Sequence, residues 1–183
     1  MSRKDREHWD GRHSRSAPAP ALNPPPPPPV FAHLEHQFPE EGNALDIACG
    51  RGEGAVWLAS RGMDYWGVDI SPVAVRMAES LVAATGLSDR CRFEVWDLDD
   101  GLPPGESVDL LFCHMFRDPA RYEAMADRIG TGGLLAMAAL SEVGAEPGEY
   151  RCRPGELRDA FRHLEIIDEG EGQGLTWILA RRP

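Results

Sequence analysis

Short apolar runs alternate along this chain with stretches of helical spacing, and the alternation is regular from about residue 44 to the end. Residues 44–48 are apolar apart from Asp46, and a helical pattern covers about 53–61. A second run, about 64–69, ends in Asp69. Ser71-Pro72 then reads as a helix start, with Ser as N-cap and Pro at the first helical position. Ala74, Ala78, Leu81, Val82 and Thr85 share one face of that helix, and Gly86 stops it. Further strands are predicted at about 91–96 and 108–113, and a helix at about 119–129. Gly130-Thr131-Gly132-Gly133 reads as a turn into a strand at about 134–140, whose unbroken apolar run suits a central position covered on both faces.

The C-terminal third predicts a helix at about 154–161 and strands at about 164–167 and 175–180. The polar link at 168–174 is too short for a parallel crossover, so these two strands pair as an antiparallel hairpin. The pattern as a whole predicts an open α/β sheet with right-handed crossovers.

Residues 1–29 do not fit this pattern. Six consecutive prolines at 24–29 require an extended, polyproline-like path. Ahead of them lies Glu7-His8-Trp9-Asp10-Gly11-Arg12, where the lone tryptophan marks either a mobile tail or an anchor folding back onto the body. Val30, Phe31, Leu34 and Phe38 predict a short amphipathic helix after the prolines. The expected division is therefore an arm at 1–29, a candidate lid, and one domain at 30–183.

Composition narrows the function. At 183 residues the chain can build one proper core, and a net charge of −11 argues against nucleic acid as the main partner. No apolar run reaches the roughly 18 residues of a membrane span, and the first residues lack a signal-peptide core, so no membrane partner and a cytoplasmic location are expected. Cys49, Cys91, Cys113 and Cys152 have no metal-type or paired spacing and read as reduced thiols. His33 and His36 lack a third ligand, so no metal site is expected.

The chemistry concentrates at Asp46-Ile47-Ala48-Cys49-Gly50-Arg51-Gly52 and Asp69. Strand, glycine turn, helix, and strand with an acid at its tip form a unit that holds an adenosine-bearing cofactor. Asp46, an acid inside an apolar strand, needs a partner if buried. It is either a cap for a nearby helix or part of the cofactor site.

These motifs resemble those of the class I S-adenosylmethionine-dependent methyltransferases. The glycine loop, Asp69, Asp97 after the third strand, Phe112-Cys113-His114 ending the fourth, and Gly132-Gly133 before the fifth occur in that family's order. Trp9-Asp10-x-Arg12, Val68-Asp69-Ile70-Ser71-Pro72 and the short length resemble the small tellurite-resistance and thiopurine-type members, although His13 stands where those members carry tyrosine. The resemblance implies a three-layer Rossmann-like fold with a seven-stranded, mostly parallel sheet ending in the antiparallel hairpin. It implies S-adenosyl-L-methionine as cofactor and methyl transfer to a small-molecule acceptor, the oligomeric state being left open.

Residue by residue, it implies that Ala48, Gly50 and Gly52 admit the methionyl part and that Asp46 meets its ammonium. Asp69 takes the ribose, and Asp97 the adenine amino group. Ile70 and Leu98 flank the ring, with Trp96 beside them. Cys113, near the end of the fourth strand, is a further cofactor-binding candidate, and His114 after it is the candidate catalytic residue that positions or deprotonates the acceptor. Arg51 and Arg117 are candidates for attracting an anionic acceptor. Two rival functions remain. One is a binding module that keeps the cofactor as ligand without turnover. The other is a nicotinamide-dependent oxidoreductase, because Gly50-x-Gly52-x-x-Ala55 fits the dinucleotide fingerprint.

Overall fold

The computed structural model describes residues 3–15 and 26–183 and divides into two compact units, one ending at Pro103 and the other beginning at Pro104. Both are α/β, with parallel strands in each and antiparallel strands at the C-terminus.

The first unit opens with a helix that the hydrophobic period did not announce, α1 (Arg3–Ser14). Residues 16–25, including Pro24 and Pro25, lie outside the described residues. Pro28 has φ −52° and ψ 137°, the extended path expected of the prolines. The segment Pro29–Gln37 is a 3₁₀ rather than an α-helix. Its buried Phe31 and Leu34 are three apart and so fall on one edge of a three-residue turn. Phe31 packs on Phe38 and Phe38 on Trp57, with ring centroids 5.6 and 4.8 Å apart. The Arg61 guanidinium donates to the Glu35 and Phe38 carbonyls and fixes this segment to the end of the helix Glu53–Ser60.

Next come β1 (Asn43–Ile47), α2 (Glu53–Ser60), β2 (Asp64–Asp69), α3 (Pro72–Ala84) and β3 (Cys91–Val95). β2 pairs in parallel with β1 and β3, Asp46 standing opposite Gly67 and Asp69 opposite Val95. The three strands therefore finish on one edge, which carries Ala48, Asp69 and Asp97. Ser71 caps α3 as its sequence position predicts, its Oγ accepting the Ala74 amide at 3.1 Å.

The second unit contains β4 (Val108–His114), α4 (Tyr122–Arg128), β5 (Ile129–Ser141), β6 (Arg151–Cys152), α5 (Glu156–Ala160), β7 (Glu165–Gly172) and β8 (Leu175–Arg181). β5 pairs in parallel with β4 and antiparallel with β8, and β7 lies outside β8. The short β6, absent from the sequence pattern, pairs with the end of β5. The glycine stretch 130–133 is not a turn ahead of β5 but an irregularity within it. Pairing jumps from Val108–Ile129 to Leu110–Leu134, so the extra residues bulge out of the ladder.

The C-terminal hairpin is present but tighter than expected. β7 continues through residues 168–172, and only Gln173 and Gly174 make the turn, with φ 53° and 77°. Positive φ at both central residues is the hairpin geometry that matches strand twist. The polar strand is held by its neighbour, since the Trp177 ring lies over Gly170 and its Nε1 donates to Asp168 Oδ2 at 2.9 Å. A Cβ on Gly170 would run into that ring. Gly170→Ala should therefore destabilise the protein by about 1–3 kcal/mol through overpacking. Urea denaturation measures this, and an unchanged midpoint and slope would show that Trp177 does not confine the strand.

Candidate functional site

Asp46 is the most constrained side chain of the first unit. It is 2% exposed, inside β1 and opposite Gly67 of β2, whose backbone groups serve the ladder. Its Oδ2 accepts the Tyr65 hydroxyl at 2.5 Å, while its Oδ1 is buried with no hydrogen-bond partner among the described residues. Gly67 makes the tyrosine contact feasible. A Cβ there would stand 2.8 Å from Tyr65 Cε1 and 2.9 Å from Cys49 Sγ, so its absence lets the ring lie along the strand. Burial pushes the Asp46 carboxyl up to about 8, against the Tyr65 hydrogen bond, and the charges of Asp69 and Glu53 add to the rise.

Asp69 ends β2 with both oxygens engaged by backbone. Oδ2 accepts the Gly50 amide and Oδ1 the Ser71 amide, each at 2.9 Å. The carboxylate thereby ties the glycine loop to the start of α3. Burial raises its pKa, and the two amides and nearby His13 counteract part of that rise. Each oxygen keeps a second lone-pair direction for a further donor.

The loop itself is shaped by positive φ at Ala48 (60°), Gly50 (56°) and Gly52 (85°). Ala48 pays for this conformation as a non-glycine residue in the left-handed region, a strain associated with functional turns. The two glycines differ in their reasons. A Cβ on Gly52 would meet Ala78 Cβ at 2.8 Å, so Gly52 lets the loop pack against α3. A Cβ on Gly50 would meet only His13 Cε1, at 3.9 Å, so Gly50 presents the face without side chains.

At the end of β3, Trp96 donates its backbone amide to the Asp69 carbonyl at 2.9 Å, and its Nε1 to the Gly101 carbonyl at 2.8 Å. Asp97 caps the short helical turn 98–100, its Oδ1 accepting the Asp99 amide at 3.0 Å. Burial pushes its carboxyl up, yet the Asp99 amide and the Arg6 charge leave it below the ordinary value. Ile70 and Leu98 are both buried.

Apart from Arg51, the remaining sequence candidates belong to the second unit. Cys113 is buried in β4 and its Sγ lies 3.7 Å from the Phe116 carbonyl it donates to. His114 ends β4, its ring stacked near Phe112 at 6.3 Å. Met115, immediately beyond, has φ 66° and is exposed. Arg117 forms a bidentate pair with Glu156, both bonds 2.7 Å, and Tyr122 donates to the same carboxylate at 2.9 Å. Arg51 pairs with Glu53 at 2.7 Å. Both guanidiniums are thus paired with carboxylates of their own unit.

The sequence did not disclose Tyr65 or His13 as site residues. Tyr65 looks like any strand aromatic, and only Gly67 two positions later signals the room it uses. His13 arrives on α1, which packs on α3 through Asp10 and Ser71.

The arrangement suits a particular ligand chemistry. Asp69 and Glu53 place acidic charge beside the glycine loop, and Asp46, protonated in the free protein up to about pH 8, would ionise against a cation placed at its unpartnered oxygen. S-adenosyl-L-methionine, bearing an ammonium, a sulfonium and a ribose diol, fits these residues. A pyrophosphate would meet the same acids unfavourably.

Comparison with known proteins agrees. The family described as "Methyltransferase domain" matches residues 44–133. A probable chloroplastic tocopherol O-methyltransferase of Oryza sativa is 29% identical over 123 residues, 63% of this chain and 33% of that protein. Ajmaline N-methyltransferase of Rauvolfia serpentina is 31% identical over 123 residues, 63% of this chain and 42% of that one. The chain thus spans less than half the length of these relatives. Among solved structures, TehB from Haemophilus influenzae superposes with a TM-score of 0.76 at 15% identity, covering 96% of this chain and 67% of that one, a likeness of fold.

The Asp46 environment has a consequence for stability. Between the ordinary value of 3.8 and about 8, the folded protein keeps a proton that the unfolded chain has lost. Stability must therefore fall as pH rises through this window, and the loss is complete above about 8. Asp46→Asn should lack this contribution, so that the wild type loses stability relative to the variant from pH 5 to pH 8. Melting temperatures of both proteins across that range test the point; a difference independent of pH would show that Asp46 titrates normally.

Proposed function

Because the chain belongs to the class I S-adenosylmethionine-dependent methyltransferases, we propose that it moves the sulfonium methyl of that cofactor to a nucleophilic atom of a small-molecule acceptor. The observation that carries the reading is the buried Asp46 oxygen without a partner, set under the glycine loop among further acids. The cofactor supplies an already activated methyl group when bound. The chain's own work is to hold, orient and shield.

In this reading Asp46 takes the ammonium. Asp69 adds ribose hydroxyls to the two amides it already accepts. Asp97 faces the adenine amino group, with Ile70 and Leu98 as apolar flanks. Ala48, Gly50 and Gly52 give the backbone path around the methionyl part. Cys113 and His114 carry over from the resemblance of Phe112-Cys113-His114 to the family's fourth motif, His114 as the group that positions or deprotonates the acceptor. A thiol or amine acceptor needs little help of that kind, and a hydroxyl needs more. The relatives' names mention tocopherol and ajmaline, so apolar small molecules, together with the thiols and tellurium or selenium oxyanions suggested by the subfamily resemblance, make the acceptor panel. No helix among the described residues is long and apolar enough to cross a membrane, and a cytoplasmic location is part of the proposal.

The arm belongs to the same proposal, as a lid. α1 rests on α3 beside the glycine loop, where it would shield a bound cofactor from water.

Calorimetry tests the cofactor assignment. S-adenosylhomocysteine should bind and NADH should not, and Asp69→Asn should weaken S-adenosylhomocysteine about 10- to 100-fold, the worth of a charge-assisted hydrogen bond. NADH binding in preference to S-adenosylhomocysteine would restore the oxidoreductase. Tight binding with no methyl transfer to any acceptor of the panel would favour the non-catalytic module.

Limited proteolysis tests the lid. Cleavage at Arg12 or Arg15 should slow several-fold under saturating S-adenosylhomocysteine. Equal rates with and without ligand would remove the lid from the proposal.

A further inference from the structure

We propose that His13, delivered by α1, is an additional cofactor-contacting residue that completes the polar edge of the site between Gly50 and Asp69. The inference rests on the reading that an S-adenosyl ligand occupies the glycine loop. Its ground is geometric. His13 Cε1 lies 3.9 Å from the position a Cβ on Gly50 would take, on the face of the loop that carries no side chain. The Gly50 amide points to Asp69 Oδ2 at 2.9 Å, so imidazole, glycine and carboxylate meet at one spot.

The ring is held there by its helix. Ser71 Oγ donates to Asp10 Oδ1 at 2.5 Å, two residues from Asp69 along the chain. The Trp9 ring lies against His13 with centroids 6.0 Å apart, and the Arg12 guanidinium sits 5.3 Å from the Trp9 ring centre. One turn of helix thus spends its aromatic, its acid and its histidine on the edge formed by the glycine loop and the start of α3. A helix serving only to cover surface would not need the histidine at that point.

The chemistry of the ring fits a neutral polar contact. Burial lowers its pKa below the ordinary 6.5; Asp69 and Glu53 raise it, while Arg51 and Arg12 lower it. Asp10 is the remaining acid of its own helix at this contact. At neutral pH the imidazole therefore offers one donor and one acceptor beside Asp69, which only accepts. A ribose hydroxyl, itself donor and acceptor, is the partner class this pair suits. Protonation would turn the ring into a second cation next to a ligand that already carries an ammonium. Cofactor affinity should then fall once acidification protonates the ring, at a pH below that of an ordinary histidine because burial lowers its pKa.

The test uses the full chain with His13→Ala and His13→Gln, and S-adenosylhomocysteine as the titrant in calorimetry from pH 5.5 to 8.0. At pH 7.5 His13→Ala should bind about 5- to 20-fold more weakly, while His13→Gln, which keeps a donor and an acceptor, should recover most of the loss. Between pH 7.5 and 5.5 the wild type should lose several-fold more affinity than His13→Gln. Wild-type affinity in His13→Ala, or the same pH dependence in His13→Gln as in wild type, would overturn the role of His13 while leaving the cofactor assignment standing. Failure of the wild type to bind at every pH would overturn the cofactor assignment and this inference with it.

Discussion

The site depends on one electrostatic constraint, an acid buried in the middle of a parallel strand, where burial favours its protonated form. Asp46 has lost its water, receives one hydroxyl from Tyr65, and keeps a second oxygen with nothing to accept from. A hydrophobic residue there would pack without this penalty. The surrounding arrangement makes sense around the acid: Gly67 is bare so that Tyr65 can reach it, and Cys49 folds over the same gap. A position costly to the free protein and relieved by a cationic partner is how a site gains affinity for that partner at the expense of its own stability.

The glycine loop is organised by the second acid. Asp69 binds the Gly50 amide on one side and the Ser71 amide on the other, so the tip of β2 fixes both the loop and the entry to α3. Gly52 then presses on Ala78 of α3, which brings the helix up to the loop. Loop shape, helix position and the acid's orientation are one unit rather than three separate features. This is why the motif reads so clearly along the chain, since each residue has more than one neighbour to satisfy.

Legibility in the sequence followed the source of each element's stability. β1, β2, β4 and the apolar body of β5 owe theirs to burial, and their runs were visible as such. The cap Ser71-Pro72 is local and was visible for that reason. β7 was half-hidden because Asp168, Glu169, Gly170 and Glu171 carry no apolar signal; its ordering comes from Trp177 on the neighbouring strand. The glycine stretch before residue 134 suggested a turn, whereas the β4–β5 ladder absorbs it as a bulge. α1 was missed for a similar reason: it is polar on nearly all sides and carries Gly11 in its middle, so no period of apolar residues announces it. Of the site, the acids and glycines could be read from their order. Tyr65 and His13 could not, because each reaches the site through tertiary contacts with no fixed spacing.

The manner in which α1 is attached bears on what it can do. The helix brings Arg6, Arg12 and His13 towards the acidic tips of β2 and β3, where Arg6 acts on Asp97 and His13 on Asp69. Its one large apolar side chain on this face is Trp9, shared with Arg12 and His13. Charge pairs at a partly exposed surface are individually weak and are screened by salt. Among the contacts that attach α1 are the Ser71–Asp10 hydrogen bond and the Trp9 ring between Arg12 and His13. β1, β4 and the body of β5, by contrast, are buried along most of their length. In the proposed enzyme such an attachment would suit a cover over a floor built on Asp46 and Asp69, because a cofactor must enter and leave while the reacting atoms stay shielded from water.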